Sequence, residues 1–218
     1  MQFPMPKDLL AFAASSSLLL LYYLYLRWRS RRSPDFSVHR FNRKIREAWV
    51  DMIAKSGKMD ILAVQTLRNS VMAANFMAST SVLLIIGTLN LSEKIEKWAY
   101  AWNPDSASQT LIHELWPIKL GLLLLNFFIA FYCFTMAIRF FNHVGYMINL
   151  LAAGSPVTGI TYAQVCSYLN RAGAYYTYGT RSFFFSMPLI LWLFGPYSLV
   201  LATLILIAAL NKMDRAPN

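Results

Sequence analysis

Residues 8–32 read DLLAFAASSSLLLLYYLYLRWRSRR. Between Asp8 and Arg27 there is no charged side chain. A helix of that length and character matches the roughly 30 Å hydrocarbon core of a bilayer, which demands about 20 apolar residues. The flanks give its direction. Only Lys7 precedes the run, whereas Arg27, Arg29, Arg31 and Arg32 follow it. A secretory signal has its positive charge ahead of the apolar stretch. The reversed order reads as an uncleaved anchor, with its N-terminus outside and its C-terminal flank in the cytoplasm.

Working outward, three more apolar blocks follow. The spans are expected at about 8–26, 65–91, 116–138 and 183–210. Hydrophobic residues make up 57% of the 218-residue chain and charged residues only 14%. Soluble domains carry about 25% charged residues, so much of this surface faces something other than water. The net charge is +10. Residues 27–68 hold eleven Lys and Arg, and residues 139–182 hold Arg139, Arg171 and Arg181 with no Asp or Glu. This concentration marks the segments 27–64 and 139–182 as cytoplasmic. It assigns the charge to anionic lipid headgroups on that side and not to nucleic acid.

Within the first basic segment, Ser33-Pro34-Asp35 has the composition of a helix start. Val38, Phe41, Ile45, Trp49, Met52 and Ile53 then recur at helical steps, the pattern of an amphipathic helix resting on a membrane surface. Residues 92–115 are expected to be an outside loop, with a turn at Asn103-Pro104-Asp105. The helix of the third block is expected to run on toward Leu151 and to stop at Gly154-Ser155-Pro156. Thr161 and Gln164 match a capping box. The last block is 28 residues, about 42 Å as a helix. Pro188 and Gly195-Pro196 should kink or break it. The expected fold is therefore all-α: an integral membrane four-helix bundle with additional amphipathic cytoplasmic helices, one membrane domain over 1–218, and both termini outside.

Several stretches have a family likeness. They are Met59-Asp60-Ile61-Leu62-Ala63-Val64-Gln65-Thr66-Leu67-Arg68-Asn69-Ser70, then Met72-Ala73-Ala74-Asn75-Phe76-Met77-Ala78-Ser79-Thr80, Asn170-Arg171-Ala172-Gly173, and Arg181-Ser182-Phe183-Phe184-Phe185 with Leu193-Phe194-Gly195-Pro196. Together they resemble the bacterial and plant membrane proteins called domain of unknown function five-nine-nine. The resemblance implies a four-span architecture and favours a bacterial inner membrane. It brings no activity and no catalytic residue.

The most informative segment chemically is the polar first half of the second block. Gln65, Arg68, Met72, Asn75 and Ser79 fall on one broad helical face, with Asn69 beside it. Lipid offers no hydrogen bonds, so these groups need partners. They read either as a helix-packing face or as a polar pore lining with Arg68 at its mouth. Arg139, Arg171 and Arg181 read as contacts for lipid headgroups or another anion, since the guanidinium fork suits phosphate and carboxylate. His39, His113 and His143 show no metal-ligand spacing, and Cys133 and Cys166 read as buried thiols. Tyr175, Tyr176 and Tyr178 read as an interfacial aromatic anchor.

No phosphate-binding loop, nucleophile elbow, dinucleotide fingerprint or zinc motif occurs. The expectation is a non-enzymatic membrane protein without cofactor or metal, an accessory or scaffold subunit of a larger complex or a homo-oligomer. Its partners would be membrane lipids and other membrane subunits or itself. The alternatives are a channel or transporter for a small anionic solute and, more remotely, a lipid-acting enzyme.

Overall fold

The computed structural model describes residues 7–32, 38–56, 61–102, 106–152 and 159–215, with side chains except at 56, 91–102, 106–114 and 152. The described residues form six helices: α1 (Lys7–Arg32), α2 (Val38–Ser56), α3 (Ile61–Trp102), α4 (Ser106–Ala152), α5 (Tyr162–Trp192) and α6 (Pro196–Met213). Among the described residues four segments are long and apolar enough to cross a membrane: Lys7–Arg32, Ile61–Asn90, Leu115–Leu151 and Pro196–Met213. The starts and stops expected at Ser33-Pro34-Asp35 and Gly154-Ser155-Pro156 lie outside the described residues.

The loop expected over 92–115 is instead mostly helical backbone, with α3 continuing to Trp102 and α4 beginning at Ser106. The turn expected at Asn103-Pro104-Asp105 lies outside the described residues.

The chain divides into two compact units, to which α3, α4 and α5 each contribute a segment. The first unit contains 1–38, 83–128 and 182–218. Here α1 packs along α6. Tyr22, Leu206 and Leu210 are buried together, with Phe184 and Phe185 against them. The Tyr22 hydroxyl donates to Asp214 Oδ2 at 2.7 Å. A second cluster joins Ile85, Leu123 and Phe127. Beside it, Asn126 Nδ2 donates to Ser182 O at 2.8 Å, and Ser182 Oγ donates to Asn126 Oδ1 at 3.1 Å. An amide and a hydroxyl thus satisfy each other between apolar helices, as lipid requires.

The break in the last block falls between α5 and α6. Pro188 lies inside α5. The chain then tightens: Leu193, Phe194 and Gly195 donate to the carbonyls three residues back at 3.1, 3.1 and 3.2 Å. Gly195 has φ 146° and ψ 167°, a region open essentially only to glycine. Pro196 starts α6, where its missing N–H costs nothing. Ser198 Oγ lies 2.6 Å from Leu191 O and 2.7 Å from Gly195 O, so its hydroxyl ties the first turn of α6 back to the end of α5.

The second unit contains 39–82 and 129–181. Its core gathers Val50 and Ile53 of α2, Leu67 of α3, Val144 and Ile148 of α4, and Val165 and Leu169 of α5. The α2 pattern splits into two faces: Val50 and Ile53 are buried, while Phe41, Ile45 and Met52 are exposed. The last three stand about half a turn from Val50, which places them on the opposite side of the helix. Tyr175 and Tyr176 also differ from a purely interfacial anchor. Tyr175 stacks on Phe140 with ring centres 5.6 Å apart, and Tyr176 meets the buried Phe134 edge-on at 5.7 Å. Tyr178 stays exposed.

Candidate functional site

Among the described residues of the second unit, a dense polar arrangement joins α2 to α5. Arg43 Nε donates to Glu47 Oε1 at 2.8 Å, one helical turn along α2. Asn170 Nδ2 of α5 reaches the same oxygen at 3.1 Å. Arg46 Nε donates to Asn170 Oδ1 at 2.9 Å, so one carboxamide bridges an acid and a base. The Tyr162 hydroxyl closes the group by donating to Glu47 O at 2.8 Å. Gly173 is what admits Arg46. A Cβ there would stand 2.8 Å from Arg46 Nη1 and 2.9 Å from Cζ. Upstream, the capping box closes α5: Thr161 N donates to Gln164 Oε1 at 3.0 Å and Gln164 N to Thr161 Oγ1 at 3.4 Å.

Charge shapes this end of the unit. The hydrogen bond from Arg43 holds the Glu47 carboxyl below its ordinary range, against a partial opposing effect of burial. His39 keeps an exposed surface, yet the protein packed round it makes burial the first cause lowering its pKa. The charges of Arg46, Arg181 and Arg43 lower it further. Arg43, Glu47, Tyr162, Ser167, Asn170 and Arg171 line an open groove of about 450 Å³.

A second groove of about 380 Å³ lies between α3 and α4. Its floor is apolar, including Val64, Leu67, Val71, Met72 and Phe141. Arg68, Asn142, Tyr146 and Asn149 supply its polar atoms.

The family model described as "Protein of unknown function, DUF599" matches residues 10–218. The chain belongs to the DUF599 family. No curated protein and no solved structure matches it. The family stretch Asn170-Arg171-Ala172-Gly173 has a physical reading in this DUF599 chain. Asn170 bridges Glu47 and Arg46, Ala172 is buried in the core, and Gly173 clears space for the guanidinium.

Gln65, Arg68, Asn69, Asn75 and Ser79 of this DUF599 chain are all exposed on α3. The neighbouring hydroxyls are satisfied within the helix: Thr66, Ser70 and Thr80 donate to carbonyls four residues back at 2.8 to 3.0 Å. The Asn75 amide has no hydrogen-bond partner among the described residues. Arg139, Arg171 and Arg181 are not brought to one site. Arg139 is exposed on α4, Arg171 lines the α2–α5 groove, and Arg181 is half-buried with its charge acting on His39. His143 is exposed and meets Tyr168 edge-on at 6.1 Å. His113 lies outside the described side chains. Among the described residues no group of three or more His, Cys, Asp or Glu is placed to hold a metal.

Sequence reasoning missed the ion pair of the first unit. Lys119 Nζ donates to Asp8 Oδ1 at 2.6 Å, with side chains 9% and 25% exposed. Trp192 Nε1 donates to the same oxygen at 2.9 Å, and Lys119 stands 5.0 Å from the indole centre. Lys119 also reaches Trp192 O at 3.4 Å, at the end of α5. A cation there complements the negative end of a helix. Phe12 stacks on Trp192 at 4.9 Å and completes the enclosure.

Proposed function

We propose that this DUF599 protein is a non-enzymatic integral membrane protein that acts by helix packing, as a self-associating scaffold or accessory subunit of a larger assembly. Asn75 carries the reading. It lies at the middle of the candidate span Ile61–Asn90. It is exposed there, with no hydrogen-bond partner among the described residues. An amide in hydrocarbon needs a partner. A second copy supplies one, because a carboxamide both donates and accepts and can pair with its own symmetry mate. Met72, Ser79 and Val82 continue the face at helical spacing, and all three are exposed. The small Ser79 suits close helix approach.

In this reading the four spans form a bundle in a bacterial inner membrane with both termini outside. The helix α2 and the first half of α5 lie on the cytoplasmic side, where Arg40, Lys44 and Arg171 meet anionic headgroups. Native mass spectrometry from mild detergent tests the association, together with oxidative crosslinking of Ser79→Cys in membranes. A dimer or higher species with a crosslinked band is expected. A lone monomer without a crosslink would refute the reading.

A second reading, a pathway for a small anionic solute, draws support from the helix break at Gly195 with Lys119 at the end of α5. Broken helices in membranes mark many transport sites. Anion flux in reconstituted liposomes tests it, and no flux of any common anion would remove it.

A further inference from the structure

The α3–α4 groove contains three polar side chains left unused among the described residues. Arg68, Asn142 and Asn149 have no hydrogen bond or ion pair among the described residues, and all three line the one groove. On α4, Asn142, Tyr146 and Asn149 stand four and three residues apart and share a face. Across from them α3 presents Arg68 among Val64, Leu67, Val71 and Met72. The guanidinium thus sits at an apolar trough with two carboxamides and a phenol.

Depth narrows what such a trough holds. A hydrocarbon core of about 20 residues centred on the span Ile61–Asn90 runs from about residue 66 to about 85. Arg68 falls within a turn of its edge, where a long cation reaches up to the interface. Asn149 lies two residues from the end of the span Leu115–Leu151. The polar groups therefore meet at headgroup level, and Val71 and Met72 lie deeper, at acyl-chain depth. An arginine fork grips phosphate through paired hydrogen bonds, and amides satisfy the remaining oxygens.

We propose that the α3–α4 groove is a binding site for an anionic phospholipid, with Arg68 holding the phosphate, Asn142 and Asn149 at the headgroup oxygens, and an acyl chain along Val71 and Met72. The site rests on the membrane placement of α3 and α4 and not on self-association, whose face begins at Met72 and continues toward Val82. The trough distinguishes a lipid from free phosphate, which has nothing to place there.

The test is native mass spectrometry of the full chain with phosphatidylglycerol, with phosphatidylcholine, and with inorganic phosphate as competitor. Phosphatidylglycerol adducts are expected to exceed phosphatidylcholine adducts and to survive millimolar phosphate. Arg68→Gln should weaken phosphatidylglycerol binding about tenfold, the size of one charged hydrogen bond. Asn142→Ala with Asn149→Ala should weaken it several-fold, giving a second readout should Arg68→Gln fail to fold. Lys55→Gln, on α2 and paired with Asp51 at 2.7 Å, should leave it unchanged. Equal binding of the two lipids, displacement by phosphate, or adducts unaffected by both groove variants would each overturn the proposal. Oligomeric state is read from the same spectra, so loss of lipid and loss of association are separate results.

Discussion

Replacing Gly173 with alanine sets two opposing effects against each other. The new methyl would stand 2.8 Å from Arg46 Nη1 and 2.9 Å from Cζ, closer than side chains tolerate, so the guanidinium must leave. It gives up the 2.9 Å bond to Asn170 Oδ1. A hydrogen bond from a charged donor is worth about 1.5–3 kcal/mol. Arg46 is half-buried, so water recovers part of this, and the loss is taken as about 1.5–2 kcal/mol. Alanine in a helix interior gains about 1 kcal/mol over glycine. The net is a destabilisation of about 0.5–1 kcal/mol, or roughly 1–4 °C in Tm for a chain this long. In an Arg46→Met background only the helix gain remains, so Gly173→Ala should raise Tm by about 2–4 °C. The assay is thermal unfolding in one detergent, followed by tryptophan fluorescence across the four proteins of the cycle. The sign should reverse between backgrounds. A rise in both would refute the seating of Arg46 over Gly173.

Three further outcomes are expected. Lys119→Met leaves Asp8 without its cation and should cost about 2–4 kcal/mol, less than a fully buried pair because Asp8 is 25% exposed. Asp8→Leu combined with Lys119→Met should recover most of that loss in the same melting assay. Gly195→Ala meets no atom within 4 Å, but its backbone at φ 146° should cost about 1–3 kcal/mol by strain alone. Gly87→Ala, unobstructed and without a left-handed φ, should stabilise instead. His39 has a folded pKa below 6.5, so the folded state binds fewer protons than the unfolded chain as pH falls through 6.5. Its contribution is whole above 6.5 and declines below it. Glu47, held below its ordinary value, loses its own contribution only at lower pH. Melting at about pH 7.5 and about pH 5.5 should therefore show a smaller drop for His39→Asn than for the parent. Equal drops would count against the burial of that ring and the charges of Arg46, Arg181 and Arg43 acting on it.

The apolar runs were legible because a membrane span is a local property of about 20 consecutive residues. The break near Gly195-Pro196 was legible for the same reason, since the two residues carry their own backbone chemistry. Periodicity also placed Arg68 and Asn75 on one face of α3. What it could not give is which faces meet. Asp8 and Lys119 stand 111 residues apart, and Arg46 and Asn170 stand 124 apart. Each reads alone as an ordinary polar residue near a helix end. The two apolar sides of α2 were merged for a related reason: helical spacing finds hydrophobic residues, while burial depends on what packs against them. The glycine in Asn170-Arg171-Ala172-Gly173 became intelligible only with the guanidinium above it.

The bond from Tyr22 to Asp214 joins two ends of the first unit across 192 residues. A ribosome adding about 5–20 residues per second needs roughly 10–40 s to make that interval. Throughout it α1 has been synthesised but its packing partner α6 has not. Its exposed Leu20, Leu21 and Leu24, with the Tyr22 hydroxyl not yet bonded to Asp214, must be sheltered by lipid or by the insertion machinery. Biogenesis of this protein thus has an obligatory waiting period. A chain stalled before α6 emerges should be the form most readily recognised by quality-control proteases.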